Sequence, residues 1–383
     1  MKITKCRVCN HKVKPVGSIG DHFINDFPSL WPHKGKKVSL NVVECGNCWL
    51  AQLDQNAPLK KLYEDHYWYR SGINKVISID LSEIAKIAMA NMIRGDTIID
   101  VGANDGTLLK YITDDFYRVG VEPAKNLTEE LKTKCDEVYR GFWENYPGLP
   151  EYKKAKVITA IGMFYDSEDP NLFIHKVKMN LSRDGLFIAQ LMTLAPMIEK
   201  NDVGNICHEH IEYYSYPSLV ELFERNGLEI VHVDENTING GSYRIFAKHY
   251  QSGSLPLIEK LCSLKEFFQN IERNKIATVK FIKEKSAAGC EVYAYGASTK
   301  GNTVLQYYGL GPKEIVGAAD ANPEKFGRFM LTGIPIVDED EARKKADYFF
   351  ILPWAFTDMF IEKERSLGYK GKFIVSTPEF KVI

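Results

Sequence analysis

Two Cys-x-x-Cys pairs, Cys6 with Cys9 and Cys45 with Cys48, constrain the fold of the first part of this chain. Together they supply four thiolates, which is the number that closes a tetrahedral Zn²⁺ site. An all-sulfur ligand set leaves no open position for water, so we expect a structural zinc ion rather than a catalytic one. The alternative is two disulfides or four unrelated thiols. The matched spacing of the pairs, and the lack of any sign of export, favour zinc.

The composition is that of a globular protein with several domains. The chain has 383 residues, of which 45% are hydrophobic and 26% charged, and two or three domains are expected. A formal net charge of −1 with dispersed Lys and Arg argues against a nucleic-acid partner. No apolar run approaches the roughly 20 residues of a membrane span. The first Cys pair follows Met1 and Lys2 almost directly, and the other cysteines are scattered. We therefore expect a cytoplasmic protein without a membrane partner.

The pattern along the chain predicts three units: a zinc module at 1–75, a second unit at 76–252 and a third at 253–383. The predicted strands are Ile98–Val101, Arg118–Val121, Lys156–Ile161, Gly185–Leu191, Glu229–Val233, Tyr243–Ala247, Glu291–Tyr295, Glu314–Ala319, Tyr348–Ile351 and Lys372–Val375. The predicted helices are Leu81–Met92, one that begins at Leu108–Ile112, Leu219–Asn226 and a long helix at Leu257–Ala288, after a linker at Gln251–Leu255. This alternation predicts an α/β protein in which a small zinc module precedes two doubly wound sheets.

A glycine loop follows the first strand of the second unit. Gly102 and Gly106 allow a ligand to approach the backbone closely, and Asn104 lies between them. A dinucleotide site would have Gly-x-Gly-x-x-Gly and would avoid carboxylates beside its pyrophosphate. Here Asp100 and Asp105 flank the loop, which favours a ligand with a cationic centre such as S-adenosylmethionine.

The strands that neighbour this loop supply two further candidates. Glu122 ends the next strand, where a carboxylate can accept both hydroxyls of a ribose. Gly162 follows a third strand, and we predict that it contacts the cofactor as well. The alternative is an ordinary glycine turn with a helix-capping Asp.

The segment from Asn205 to Ser215 is the second candidate site. His208, Glu209 and His210 are consecutive, so they cannot point the same way, and they do not form the His-Glu-x-x-His motif of zinc proteases. A histidine beside a carboxylate is a candidate general base, and Tyr213 and Tyr214 could bind a polar ring. The alternative is a polar helix start with Glu209 on a solvated face.

Four motifs occur in the order found in sugar C-methyltransferases, which act on nucleotide-linked 4-keto-deoxyhexoses. They are the Cys pairs, Asp-Val-Gly-Ala-Asn-Asp-Gly106, His-Glu-His210 and Tyr-Gly-Ala-Ser-Thr-Lys-Gly-Asn302. The chain resembles this family over essentially its whole length. The resemblance implies a zinc module, an S-adenosylmethionine domain and a C-terminal Rossmann-like domain that binds a nucleotide-diphosphate sugar.

The resemblance also implies roles for individual residues. The implied active-site residues are His210 as the base, with Glu209 and His208 beside it, and Tyr69 lent by the zinc module. The implied substrate contacts in the third unit are Ser298, Lys300, Asn302, Asp320 and Trp354. The chain departs from the family pattern at two polar positions, where Cys207 replaces a tyrosine and Asp166 replaces a histidine. Asp166 therefore joins the catalytic candidates.

The expected reaction is methylation of the carbon beside the ketone, at C3, through an enolate. His210 would remove the proton, and a hydroxyl of Tyr69, Tyr213 or Tyr214 would stabilise the enolate oxygen. An O-methyltransferase with the same cofactor, or a non-catalytic zinc-ribbon adaptor that binds S-adenosylmethionine, are the alternatives. A zinc-finger RNA methyltransferase is disfavoured by the net charge. We expect a monomer or a weak dimer.

Overall fold

The computed structural model describes residues 2–64, 66–259 and 263–383. The first strands are β1 (Val13–Phe23), β2 (Lys37–Cys45), β3 (Ala51–Leu53), β4 (Thr97–Val101), β5 (Tyr117–Val121), β6 (Glu137–Tyr139), β7 (Ala155–Ile161), β8 (Leu181–Met192) and β9 (Glu212–Tyr213). The later strands are β10 (Leu228–Asn236), β11 (Ser242–His249), β12 (Val292–Tyr295), β13 (Gly317–Asp320), β14 (Ile336–Asp338), β15 (Tyr348–Ile351), β16 (Lys372–Val375) and β17 (Lys381–Val382). The α-helices are α1 (Lys75–Ala90), α2 (Lys125–Leu131), α3 (Pro170–Asn180), α4 (Leu194–Glu199), α5 (Tyr216–Arg225), α6 (Leu264–Ala287), α7 (Thr299–Tyr308), α8 (Glu339–Lys345) and α9 (Thr357–Ser366).

The strands of the described chain form three sheets. The order of the first is β1-β2-β3-β9, and all its pairs are antiparallel. The second is β10-β11-β8-β7-β4-β5-β6, where β4 is parallel to β5 and β7, and β11 is antiparallel to its neighbours. The third is β14-β13-β12-β15-β16-β17, parallel except at β17. The predicted α/β class with two doubly wound sheets is confirmed.

Alternating apolar residues cover both faces of the second sheet. In β4, all five residues are buried; Ile98 packs with Ile84 of α1, while Ile99 belongs to the core on the other face with Phe173 of α3. A strand that is buried on both sides reads as a continuous apolar run, which is why Ile98–Val101 was predictable. The order reverses beside β4, so its carboxyl end opens a crevice.

The two helices predicted around the first strand of the second unit differ from the observed ones. Helix α1 begins at Lys75, earlier than the predicted Leu81, because the Asn74 side chain accepts hydrogen bonds from the backbone N–H of Val76 and Ile77. The helix predicted to begin at Leu108–Ile112 is wrong, since only a single 3₁₀ turn forms there. The Thr-Asp-Asp sequence that follows competes with helical hydrogen bonding.

The long helix of the third unit is shorter than predicted at its start. Helix α6 begins at Leu264, where the Ser263 hydroxyl caps the N–H of Glu266 at 3.3 Å. Residues 260–262 of the predicted helix, including Cys262, lie outside the described residues. The predicted linker is an ordered loop, because one Glu229 oxygen accepts the N–H of Gln251, Ser252 and Gly253 at 2.7–2.8 Å.

The first sheet takes its last strand from the second unit. Ala51 pairs with Tyr213 and Gln52 with Glu212, so β9 is a strand of the zinc module although it lies beside His210 in sequence. The predicted boundaries of the three units stay a prediction. In the described part of the chain, no helix has the length and apolar character needed to cross a membrane.

Candidate active site and metal site

The four predicted metal ligands form one buried cluster. Their sulfur atoms all lie within 4.8 Å of one another. The Sγ atoms of Cys6 and Cys48 are 3.5 Å apart, and those of Cys9 and Cys45 are 3.4 Å apart. Zn–S bonds of about 2.3 Å in a tetrahedron require S–S separations of about 3.8 Å, so the cluster fits a zinc ion. A disulfide needs about 2.05 Å, and all four thiols are free.

A first cavity of about 790 Å³ opens at the carboxyl ends of β4, β5 and β7. Its lining includes six of the predicted site residues, namely Gly102, Asn104, Glu122, Gly162, Tyr69 and Asp166. Tyr63, Tyr67, Phe142 and Trp143 line it as well. Ligands of open parallel sheets bind in this crevice. The structure therefore brings most of the predicted cofactor residues together.

Gly102 and Glu122 shape this cavity. Gly102 has a φ of 70°, and a Cβ atom added to it would lie 2.6 Å from Cγ of Met163, so the turn requires glycine. The two carboxylate oxygens of Glu122 accept the backbone N–H of Asn104 and Ala124, each at 2.8 Å. Burial raises the pKa of Glu122 to about 7. Each oxygen keeps a second lone pair, so the carboxylate can still accept two hydroxyls from a ligand.

Three predicted cofactor residues do not line the first cavity. Asp100 accepts a hydrogen bond from the Thr159 hydroxyl at 2.6 Å inside the sheet, and burial raises its pKa to about 7. Asp105 accepts the N–H of Gly72 at 2.9 Å. Gly106 has a φ of 78° and packs against Leu131. These residues build the loop and fasten the chain before α1 to it.

A second cavity of about 1040 Å³ adjoins the first. Both are lined by the same five residues, which are Tyr67, Tyr69, Ser71, Ile161 and Gly162. Of the predicted site residues, His210, Ser298 and Lys300 also face the second cavity. A ligand of the second cavity can therefore meet a ligand of the first.

The His210 ring is held in one orientation. Its Nδ1 lies 2.8 Å from Oδ1 of Asn205, which is the geometry of an Nδ1–H donor and an amide acceptor. The ring packs edge-on against Tyr165, with 4.6 Å between centroids. Among the described residues, no group pairs with Nε2, which leaves that nitrogen free to accept a proton. Burial and the nearby Lys300 ammonium lower the pKa of His210 to about 3, so the ring is neutral.

The neighbours of His210 are bound by the zinc module and line neither cavity. Both carboxylate oxygens of Glu209 accept from the Asn25 side-chain amide, at 2.9 and 2.7 Å. His208 Nε2 lies 3.1 Å from the Val38 carbonyl oxygen. The alternative interpretation, in which Glu209 lies on a solvated face, is wrong, since its side chain is buried. These contacts place the segment before β9 in a fixed position.

Asp166 lies in the first cavity rather than beside His210 in the second. Its Oδ1 is buried and has no partner among the described residues. Burial raises the pKa of Asp166 well above its ordinary value, and a hydrogen bond from the Tyr63 hydroxyl opposes this rise. The carboxyl group is therefore available to a ligand that reaches this wall.

Besides His208 and Trp354, four predicted substrate residues line neither of these two cavities. Tyr213 and Tyr214 are buried in the core, and their hydroxyls have no partner in the described chain. Asn302 donates to the Asp26 carbonyl at 3.1 Å and accepts the N–H of Leu331 at 2.9 Å, which joins the first and third units. Asp320 binds Lys325 at 3.3 Å. All four have structural contacts where substrate contacts were predicted.

Trp354 lines a third cavity, which meets the second at Phe356 and Ile238. This arrangement keeps Trp354 within reach of a long substrate that extends beyond the second cavity.

Sequence reasoning missed several residues that line or support the second cavity. Asp80 accepts from Arg244 and from Gln190, each at 2.6 Å, and Gln190 accepts from Arg244 at 2.8 Å. This buried network forms part of the cavity wall. Nothing in the sequence marks these three positions, which lie on different elements. Asn205 was detectable as an amide shortly before the proposed base in the sequence.

Comparisons with known proteins agree with this geometry. Residues 71–233 match a family model described as "Methyltransferase domain", and residues 237–378 match one described as "C-methyltransferase C-terminal domain". The C-methyltransferase NovU of Streptomyces niveus is 28% identical over 418 aligned positions, which cover 100% of this chain and 97% of that protein.

Solved structures show weaker similarity. An S-adenosylmethionine-dependent methyltransferase from Clostridium acetobutylicum is 13% identical, with a TM-score of 0.38, over 45% of this chain and 92% of that one. Magnesium protoporphyrin IX methyltransferase from Synechocystis PCC 6803, with bound S-adenosylhomocysteine, is 11% identical with a TM-score of 0.38, over 46% and 88%. Similarity at this level says nothing about the substrate.

The strand order, the glycine loop and the two matched models define an S-adenosylmethionine-dependent methyltransferase. Within that class, the chain is similar to a C-methyltransferase over its full length, and residues 237–378 match the C-methyltransferase C-terminal domain.

Proposed function

We propose that this protein methylates a nucleotide-linked 4-keto-deoxysugar at the carbon beside its ketone, with His210 as the base. The observation that carries the proposal is the position of His210. Its Nδ1 is bound by Asn205, and the ring faces a cavity that adjoins the cofactor crevice. The free nitrogen can therefore take a proton from a carbon that lies close to a methyl donor.

The first cavity fits S-adenosylmethionine. Glu122 would accept the ribose hydroxyls, and Gly102 and Gly162 would allow close approach of the backbone. Asp166, with its unpartnered oxygen in the same cavity, offers a carboxyl group toward the cationic end of the ligand. When bound, S-adenosylmethionine supplies an electrophilic methyl group on its sulfonium. Tyr69 lines both cavities and would lie between donor and acceptor.

The chemical step begins at the carbon acid. His210 Nε2 accepts the proton, the C–H electron pair forms a C=C bond, and the carbonyl pair moves onto oxygen to give an enolate. Bound S-adenosylmethionine, held by Glu122 and Asp166, would supply its methyl group to the enolate carbon, the methyl–sulfur electron pair would stay on sulfur, and the ketone would form again. His210 finally releases its proton to solvent. Binding the two substrates in adjoining cavities supplies the alignment that this displacement needs.

The third unit would hold the nucleotide part of the substrate. Ser298 lines the second cavity at the N-terminus of α7, where the free N–H groups favour a diphosphate. Trp354 could stack on the base farther out. NovU, a C-methyltransferase of similar sequence over its whole length, supports the choice of carbon over oxygen as the methyl acceptor.

We also infer that Cys6, Cys9, Cys45 and Cys48 hold one structural Zn²⁺. The sulfur separations of the cluster support this. With four thiolates, the ion would have no open position and would take no part in the reaction.

Proton exchange tests the proposal without methyl transfer. The wild-type protein is incubated in D₂O with S-adenosylhomocysteine and a panel of TDP- and GDP-linked 4-keto-6-deoxyhexoses. We expect deuterium at C3 by NMR. His210→Ala should lose both exchange and methyl transfer by at least ~10²-fold, the typical loss when a general base is removed. Cofactor affinity should be retained.

Two outcomes would change the assignment. If Asp166→Ala abolishes exchange while His210→Ala retains it, the base is Asp166. If the wild type exchanges no proton and instead methylates the reduced 4-hydroxy sugar, the protein is an O-methyltransferase.

A further inference from the structure

Lys300 is the one lysine or arginine among the described residues that line the second cavity. It is the second residue of α7 and reaches the cavity from the third unit, whereas His210 comes from the second. The sequence suggested a role in binding diphosphate. Its contacts in the structure point to a different partner.

The Lys300 ammonium has fewer hydrogen-bond acceptors around it, in the described chain, than it has N–H donors. It has three N–H donors, and its two partners in the described chain are Oδ2 of Asp202 at 3.2 Å and the sulfur of Met192 at 3.1 Å. A thioether is a weak acceptor, so a substrate oxygen can readily replace it. Asp202 is buried and holds the ammonium in place. The cation is therefore fixed in position but still able to bind an anionic oxygen.

The local backbone adds to the positive potential. Lys300 lies in the first turn of α7, whose N-terminus is capped by the Ser298 hydroxyl on the N–H of Gly301 at 3.0 Å. Close approach to Asp202 depends on Gly204, since a Cβ atom there would lie 3.3 Å from Cβ of Lys300. The packing of the third unit against the second therefore holds the Lys300 ammonium at this wall of the cavity.

Lys300 and His210 line the same cavity, and the lysine charge contributes, after burial, to the low pKa of the imidazole. A weak base needs strong stabilisation of the anion that it generates. If the ketone oxygen lies on the ammonium, the adjacent carbon is directed toward the imidazole. Tyr213 and Tyr214, two of the hydroxyls expected to stabilise the enolate, are buried away from the cavity.

We propose that Lys300 is a catalytic residue that stabilises the enolate oxygen. The proposal rests on the proposed function. As His210 takes the carbon-bound proton and the electron pair moves onto the ketone oxygen, an Nζ–H of Lys300 shortens its hydrogen bond to that oxygen. Lys300 keeps its proton throughout, and the bond weakens again when the carbon takes the methyl group.

The test separates an enolate contact from a diphosphate contact. Exchange with S-adenosylhomocysteine in D₂O is measured for wild type and Lys300→Met, together with the affinity of TDP or GDP alone by calorimetry. We expect exchange to fall by about 10²–10³-fold, as when one oxyanion donor is removed, with nucleotide affinity changed by less than about twofold. Lys300→Arg, which keeps the charge, should recover part of the exchange.

A matched control is Lys283→Met, on an exposed position of α6 in the same unit, which should exchange like wild type. If Lys300→Met exchanges at the wild-type rate but binds nucleotide at least tenfold more weakly, Lys300 is a diphosphate contact and the proposal is wrong. If wild type itself exchanges no proton, the proposed function fails, and this proposal fails with it.

Discussion

At the residue scale, Glu122 combines two properties that link cofactor binding to pH. Its carboxylate is fixed by two backbone N–H groups and faces the first cavity. Burial nevertheless raises its pKa to about 7, well above the 4.5 of an ordinary glutamate. The ionised form is the better acceptor for two ribose hydroxyls. Since ionisation rises with pH through about 7, the affinity for S-adenosylmethionine should rise with it.

We predict that this affinity increases by up to about tenfold between about pH 6 and pH 8, because a group with a pKa near 7 becomes ionised over that range. Calorimetry at the two pH values measures the change. At pH 8, Glu122→Gln should bind S-adenosylmethionine more weakly, by about 1.5–3 kcal/mol for each charged hydrogen bond that is lost. This variant should also lose the pH dependence of binding.

Asp100 provides the control for this prediction. Its pKa is also raised to about 7 by burial, but it is bonded to Thr159 and does not line the cavity. Asp100→Asn should therefore keep the pH dependence of binding. If Asp100→Asn loses the dependence and Glu122→Gln keeps it, the ribose site has been assigned to the wrong carboxylate.

At the element scale, the segment that carries His210 is held from outside the second unit. Glu209 is bound by Asn25, His208 by the Val38 carbonyl, and Glu212 and Tyr213 form β9 against β3. The hydrogen bond from Ile211 N–H to the Tyr165 carbonyl oxygen, at 3.1 Å, closes the segment on the side of the methyltransferase sheet. The zinc module therefore positions the proposed base.

Asn25→Ala should lower kcat while the affinity for S-adenosylmethionine stays unchanged. Loss of the amide leaves a buried carboxylate without its donors, which costs about 1–3 kcal/mol of folding stability or more. Denaturant unfolding gives the stability, and steady-state kinetics with the keto sugar gives kcat.

Asn41→Ala is the matched control, because Asn41 makes a longer amide-to-carboxylate contact in the same module, with Asp54 at 3.3 and 3.4 Å, and does not bind Glu209. Its kcat should match wild type. Equal losses of kcat in the two variants would show that any damage to the module has this effect, and would contradict a specific positioning role for Asn25.

At the scale of the whole molecule, the zinc module joins the other two units. Beyond its hold on the segment 208–213, it contacts the third unit through Asn302 and through Arg328, which donates to the Phe27 carbonyl at 3.1 Å. Loss of the metal should therefore affect the active site as well as the first sheet. Cytoplasmic location and a monomeric or weakly dimeric state stay predictions.

We predict one zinc ion per chain, and a protein that loses methyl transfer and thermal stability together when a strong chelator removes the ion. A structural site's binding energy is folding energy, so Cys45→Ser should have the same effect. Cys135→Ser, at a partly buried thiol outside the cluster, is the control and should keep zinc and activity. Full activity in zinc-free protein would contradict this prediction. Metal analysis and thermal melts provide the readouts.

The sequence predicted the central strands of the two larger sheets, the cysteine cluster and the glycine loop. These features are local: a buried strand shows as an apolar run, as at Ile98–Val101, and ligand pairs show as a two-residue gap between cysteines. The helix predicted to begin at Leu108 does not continue beyond a single 3₁₀ turn, because the Thr-Asp-Asp sequence that follows competes with helical hydrogen bonding.

Only the tertiary structure decided which polar side chains face a ligand. Asp105, Tyr213 and Asn302 lie in promising motifs, yet each is taken up by the loop, the core or a contact between units. Partners such as Asn25 and Glu209 are 184 residues apart, and Lys300 and His210 line a cavity to which all three units contribute. Hydrogen bonds and charges act over a few ångströms in space, so the separation of two residues along the chain does not predict that they will be partners.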